Sequence, residues 1–362
     1  MPKQQVILDI FSKSKALQAL VDNTAKALDG IQWKKWFRWK YTSSLTFEGI
    51  LGEGARVYAG TVVDYGARAP RRERPTAQTF TGSVASLKDG FQLDQKEIRR
   101  FLELEDAMKS GRIENGAALF DELFPDIKAL LLAPHKRMDM WAGEIISNGT
   151  VTVDANDNPR GTVFSVDFGV RKDKVIFKPW SLSYSDHKSL FDVRSLMEEE
   201  KAKGRTYSKL KMTRTTFNKM VNSSEFAGLF GLKFEKGNTT YTHNPVNLIT
   251  PDMVNMQFEA VGLPVIEIVE YGVQTASGLV VFPFKDDRII FHNGEDFGDA
   301  YYTYSNEERM PVSGTTYAKN DNVLVKYKIA EDYRIFEYEL NGFLVPKMLN
   351  NMLIVDTANK RS

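Results

Sequence analysis

The chain has 362 residues, enough for two domains or for one domain with large insertions. Hydrophobic residues make up 42% and charged residues 26%, the balance of an ordinary globular protein. A formal net charge of +1 gives no global attraction to nucleic acid or to an anionic membrane, and the lack of cysteine excludes disulfides and thiolate metal sites. No window reaches the roughly 18 unbroken apolar residues of a membrane span. Met1 to Gln5 lead into an amphipathic pattern rather than a signal sequence, so the chain is expected to be soluble and to stay where it is made.

In chain order, Val6 to Leu28 has helical spacing, with Val6, Ile10, Leu17, Leu20, Val21 and Leu28 near one stripe. A basic aromatic segment follows, Trp33, Lys34, Lys35, Trp36, Phe37, Arg38, Trp39 and Lys40, with three Trp at steps of three. Thr42 to Ile50 reads as a short strand. Arg56 to Leu93 reads as a long hairpin: one β-like run to Val63, a tip with Arg68, Arg71, Arg72 and Arg74 between Pro70 and Pro75, and a return through Thr79 to Val84. A two-stranded hairpin without a sheet behind it is marginal in water, so this arm is expected to lie on a neighbouring subunit.

Asp94 to Lys109 is expected to be a helix, with Asp94 as N-cap and Glu97 at the capping-box position. Asn115 to Ile146 is a longer helical region that Pro125 and Pro134 should break or kink. Thr150 to Val153 and Thr162 to Phe168 form a hairpin around a turn at Asp154 to Gly161. Helices are expected at Asp186 to Lys203, Thr215 to Leu229 and Thr250 to Val261, the last with Thr250 as cap and Pro251 at its first position. Strands are expected at Leu210 to Thr213, Pro264 to Tyr271, Leu279 to Pro283 and Arg288 to Phe291. From Tyr301 onward the chain is mostly β.

No enzymatic constellation emerges. His135, His187, His243 and His292 are too far apart in sequence to suggest a ligand pair and read as structural or surface residues. Asp154, Asn156 and Asn158 have the spacing of a calcium loop, but Pro159 and Ser165 stand where it needs Gly and Glu. Gly52 and Gly54 lack the third glycine of a dinucleotide fingerprint, and there is no Walker A sequence or nucleophile elbow. Asp286 and Asp287 read as solvated charge at a turn. Trp33 to Lys40 could pack on a neighbour with its cations in water, or face DNA, since cations among aromatics bind phosphates and stack on bases. The arginines of the tip suit bidentate pairing to carboxylates on another surface. Glu103, Glu105 and Asp106 are candidate acidic partners.

Trp36-Phe37 through Thr46-Phe47, Val57-Tyr58-Ala59, Phe80-Thr81 and Lys88-Asp89-Gly90-Phe91 stand in an order of parts that resembles the lambda-type phage major head protein family, capsid protein E, which has the tailed-phage capsid fold named for Hong Kong 97. Phe297-Gly298-Asp299-Ala300, Leu344-Val345-Pro346 and Leu353-Ile354-Val355 complete the resemblance. It spans nearly the whole chain as order and spacing, and is least distinct over Ser185 to Thr250.

The resemblance implies an α+β tailed-phage capsid fold. Its parts would be an N-terminal arm (1–50), an extended β-hairpin loop (51–93), a peripheral domain with a spine helix (94–182), an α/β axial domain (183–300) and a returning β segment of the peripheral domain (301–362). It also implies a non-enzymatic chain without cofactor or metal. Such a chain assembles with itself into pentamers and hexamers of an icosahedral shell around double-stranded DNA. Portal, scaffold and decoration proteins are further partners, a membrane is not, and the location is the virion capsid, with the host cytoplasm during assembly. Alternatives are an encapsulin-like compartment shell and a nucleic-acid-binding assembly protein.

Overall fold

The computed structural model describes residues 11–51, 78–109, 117–159, 161–180, 187–230, 232–236, 239–243, 249–330 and 333–358. The expected loop tip with Arg68, Arg71, Arg72 and Arg74 lies outside the described residues. The elements begin with α1 (Ser14–Ala25), β1 (Phe37–Tyr41), β2 (Thr46–Leu51), β3 (Gln78–Ser83), β4 (Ala85–Leu93), α2 (Gln95–Lys109) and α3 (Ala117–Asn148). Next come β5 (Thr150–Val153), β6 (Phe164–Asp167), β7 (Val175–Phe177), α4 (Ser189–Ala202), β8 (Lys209–Met212), α5 (Arg214–Val221) and α6 (Ser224–Phe230). They are followed by β9 (Leu232–Lys236), β10 (Thr239–His243), α7 (Pro251–Ala260), β11 (Val265–Ile268), β12 (Val273–Gln274) and β13 (Val280–Val281). The last are β14 (Arg288–His292), β15 (Gly298–Thr303), α8 (Asn306–Arg309), β16 (Thr315–Asn320), β17 (Val323–Ile329), β18 (Arg334–Pro346) and β19 (Leu353–Asp356).

The chain forms two compact units. One comprises Met1–Glu48, Thr81–Asp139 and Asp299–Val345, the other Gly49–Phe80, Met140–Gly298 and Pro346–Ser362. The core of the first is a six-stranded sheet with strand order β1-β15-β18-β17-β16, in which β4 also pairs with β18. β18 is the central strand, antiparallel to β17 from Leu324↔Glu339 to Ile329↔Arg334 and to β4 from Arg334↔Leu93 to Gly342↔Ala85. It is buried from Tyr338 to Pro346, as a strand paired on both edges should be.

Two local expectations meet this sheet differently. The excursion ending at Leu93 was expected to lack a core, yet its last part is the nine-residue strand β4, paired along its whole length with β18. Among the described residues, β3, upstream, pairs in a two-stranded ladder with β2. The α2 start is as expected: the Asp94 carboxylate accepts from Glu97 N at 2.9 Å, and Glu97 accepts from Asp94 N at 2.8 Å.

The prolines of α3 do not break it; the helix is continuous through Pro125 and Pro134. A proline in a helix interior costs about 3 kcal/mol, against about 1.5–3 kcal/mol recovered for each fully buried large apolar side chain. Ile127, Leu130, Leu131, Met138, Trp141 and Ile145 are all buried along this helix, so packing outweighs the lost hydrogen bonds. Conversely, the single helix expected over Thr215 to Leu229 is divided into α5 and α6 around Asn222 and Ser223.

The second unit is built on a five-stranded mixed sheet with order β11-β8-β14-β19-β7. β8 runs parallel to β11 and antiparallel to β14; β19 runs antiparallel to β14 and parallel to β7. Side chains alternate across it. Leu210, Met212, Ile266, Ile289, Phe291, Leu353 and Val355 join one core cluster with Leu190 and Val193 of α4, Phe217 of α5, Phe226 of α6 and Phe258 of α7. The alternate positions Lys209, Lys211, Glu267, Arg288, His292 and Asp356 give the opposite face its charge. Thr250 caps α7 by accepting from Met253 N at 3.3 Å, with Pro251 at its first position, as expected.

Candidate functional site

In the first unit the basic aromatic segment is folded into its own chain. Trp33 is fully buried and Trp36 is 4% exposed, so neither ring is available to another subunit or to DNA. The backbone amides of Gln32 and Trp33 donate to Asp139 Oδ1 at 2.7 and 2.8 Å. Burial pushes the Asp139 carboxyl above its ordinary range, opposed by these two amides and by Lys136. The Trp33 indole donates to His135 Nδ1 at 3.3 Å and stacks on that imidazole at 6.0 Å. His135 Nε2 lies 3.4 Å from Asp321, which also pairs with Lys34 and accepts from Trp39 Nε1 at 2.9 Å.

The cations of the segment are largely engaged. Lys35 donates to Gln32 Oε1 at 2.7 Å, and Arg38 donates to the carbonyls of Lys34 and Phe37. Lys40 pairs with the buried Asp299 at 3.2 Å and lies 4.9 Å from the centre of the Tyr301 ring. Hydrogen bonding to Tyr301 and Asp299 raises the Lys40 pKa. Tyr41, half exposed, continues an aromatic ladder through Tyr302 to Trp39 at 5.7 and 5.4 Å. Of the segment, the outward surface is therefore Lys35, Arg38 and Lys40, continued by Tyr41 just beyond it.

Among the expected acidic partners, Glu103 is exposed on α2 and pairs with Arg99 at 3.5 Å, a contact between side chains 71% and 81% exposed. Such a pair contributes little and leaves Glu103 able to exchange partners. Asp106 is also exposed on α2, and Glu105 belongs to the same helix.

A second cluster, in the other unit, was not singled out in the sequence. Lys209 pairs with Glu267 at 2.5 Å and Glu295 at 2.7 Å, while the buried Lys211 pairs with Glu295 at 2.9 Å and with Glu267. Burial pushes Glu295 up, but the hydrogen bonds from Lys209 and Lys211 outweigh it and bring the pKa down to about 2. One ligand atom each from Glu267, His292 and Glu295 lie within 4.8 Å of one another, a spacing that could suit a metal ion. Two ammonium groups already neutralise these two carboxylates, however, so the arrangement works as an ion-pair cluster. The signal that could have found it is the alternation Lys209-Leu210-Lys211-Met212, charged on one face and apolar on the other.

Both buried imidazoles are neutral near pH 7. Burial first, then the charge of Lys34 at His135 and of Lys211 at His292, push each down to about 4. The unfolded chain, with ordinary histidines near 6.5, binds more protons below that pH than the folded one. Stability is therefore expected to fall as pH drops from about 6.5 through about 4, by roughly 3 kcal/mol for each group at the lower end. Denaturation midpoints of dispersed subunits between pH 7 and pH 4 check this; a flat profile would refute the burial of the two rings.

No protein-family model matches the chain, and no curated protein matches it in sequence. Solved structures do match. A protein described as a capsid protein of a prophage of Escherichia coli CFT073 superposes with a TM-score of 0.54 at 10% identity, over 95% of this chain and 99% of that one. A phage-related protein from Bordetella bronchiseptica RB50 gives 0.45 at 11% identity over 94% and 96% of the two chains. The capsid of cyanophage A-1(L) gives 0.41 at 13% identity over 89% and 91%. On the first of these superpositions, together with the sheet, the long helix and the α/β unit described above, the chain has the α+β fold of tailed-phage capsid proteins.

Proposed function

We propose that this chain is the major capsid protein of a tailed bacteriophage, of the lambda-type head protein family. It assembles with itself into pentamers and hexamers of an icosahedral shell that encloses packaged double-stranded DNA. The observation that carries this reading is the shared fold over 95% of this chain and 99% of a prophage capsid protein. In this reading 94–182 and 301–362 form the peripheral domain, 183–300 the axial domain, and 51–93 the extended loop. Portal, scaffold and decoration proteins are its partners in assembly, which takes place in the host cytoplasm. The physics of weak repeated contacts supports it, since many copies acting together make a shell robust where each contact is modest.

The protein expressed alone is expected to give closed shells or sheets of hexamers under negative-stain microscopy. Dispersed monomers that also fail to assemble with a scaffold protein would overturn the reading. Within it, the Arg68, Arg71, Arg72 and Arg74 tip pairs with carboxylates of an adjacent subunit, with Glu103, Glu105 and Asp106 as candidates. Arg71→Glu with Arg72→Glu is expected to leave soluble subunits or small oligomers. Full-sized shells in unchanged yield and salt tolerance would remove the tip from the assembly contacts.

A further inference from the structure

β16 is the outermost strand of the six-stranded sheet: its inner edge pairs with β17 from Thr315↔Lys328 to Asn320↔Val323. Its outer edge is the kind of surface that templates pairing with another chain. Here α1 lies along it. The Gln18 side chain donates from Nε2 to Lys319 O at 2.9 Å and accepts at Oε1 from Lys319 N at 3.0 Å. A neighbouring strand would make the same pair of bonds to one residue of an antiparallel edge. The second Nε2 hydrogen goes to Asp22 Oδ1 at 2.8 Å, one helical turn away, which fixes the orientation of the amide. Ser14 Oγ donates to Tyr317 O at 3.3 Å, and Thr316 Oγ1 donates to Ser12 O at 3.0 Å. The helix is held in place by its buried stripe of Leu17, Leu20 and Val21.

We propose that α1 is an edge guard, in which the Gln18 carboxamide stands in for a missing strand and prevents β16 from adding the β16 strand of a second copy. The partner follows from symmetry: two identical edges can pair antiparallel about a two-fold axis. In a self-assembling protein such a contact would compete with the productive ones. The inference rests on the proposed function only for that competition. The guard itself is tested without it.

The test is Gln18→Met, which keeps length and helix propensity and removes both bonds to Lys319. Two readouts are taken on dispersed subunits: amide hydrogen exchange at Lys319, and association by sedimentation velocity. Exchange at Lys319 is expected to be about tenfold faster, from the loss of a bond to an edge amide. Dimers are expected to appear with rising concentration. Adding Lys319→Pro, which removes the outward N–H while sparing the bonds to β17, is expected to restore dispersal. Unchanged exchange at Lys319 would overturn the guard. Faster exchange with unchanged association, or dimers that persist with Lys319→Pro, would overturn its role against β16 pairing. If Gln18→Met fails to fold, Gln18→Glu is read in its place, since it keeps the acceptor and loses the donor to Lys319 O. Failure of shell assembly in the wild type would affect the proposed function and leave these readouts standing.

Discussion

Glu339→Ala is expected to destabilise the subunit by about 3 kcal/mol, because it strands a buried ammonium. Lys326 and Glu339 face each other at 2.5 Å with both side chains only 5% exposed, and Glu307 holds the same lysine at 2.6 Å. Burial pushes the Glu339 carboxyl up, but hydrogen bonds from Lys326, Ser305 and Asn341 overcome it and bring the pKa down to about 2. Glu339 also receives Lys88 of β4 at 3.2 Å, so one carboxylate ties β17, β18 and β4 together. Removing it leaves Lys326 with one carboxylate partner, Glu307, which is 25% exposed. Adding Lys326→Met to the same background is expected to recover part of the loss, since it removes the stranded buried charge. Chemical denaturation at pH 7 measures both. Equal stability of Glu339→Ala and wild type would mean that Glu307 alone satisfies the lysine.

Gly143→Ala sets two effects against each other. On helix propensity alone, alanine at a mid-helix glycine should stabilise by about 1 kcal/mol. The packing says otherwise. A Cβ at Gly143 would lie 2.8 Å from Phe284 N, from Pro283 C and from Tyr271 Oη. Two of these are backbone atoms that no rotamer change can move aside. One turn on, Ser147 Oγ donates to Gly143 O at 2.7 Å and accepts from Lys285 N at 3.2 Å, so residues 283–285 are held against this face of α3. Overpacking of a tight contact costs about 1–3 kcal/mol, and two contacts with fixed backbone place this site at the upper end. The expected net result is destabilisation of about 2 kcal/mol, read from the denaturation midpoint. A stabilised variant would show that segment 283–285 yields easily.

What could be read in the sequence was local. The Asp94 and Glu97 capping box lies within four residues, and so does the Thr250-Pro251 helix start. The β5–β6 hairpin likewise depends on neighbours, with Asp154 Oδ1 accepting from the amides of Asn156 and Asp157 at 2.8 and 3.0 Å to close its turn. The basic aromatic segment was visible as composition, but its role was not. Its partners are far away in the chain: Asp139 is 107 residues from Gln32, and Asp321 is 282 residues from Trp39. No window of sequence contains both ends of such a bond.

The same division separates the two sheets. A short strand was expected at Leu210 to Thr213, but only the pairing of β8 with β11 and β14 brought Lys209, Lys211, Glu267 and His292 to one face. Likewise the order of arm, hairpin, long helix and α/β block pointed to a capsid fold from the sequence alone. The sequence by itself therefore determined where elements begin, which faces are apolar and in what order they come, because caps, turns and periodicity act over a few residues. Only the tertiary structure decided that α3 runs through its prolines, that β4 joins a core sheet and that Trp33 is interior. Those outcomes depend on burial, which is a property of what lies across the fold from a residue and not of what lies beside it in the chain.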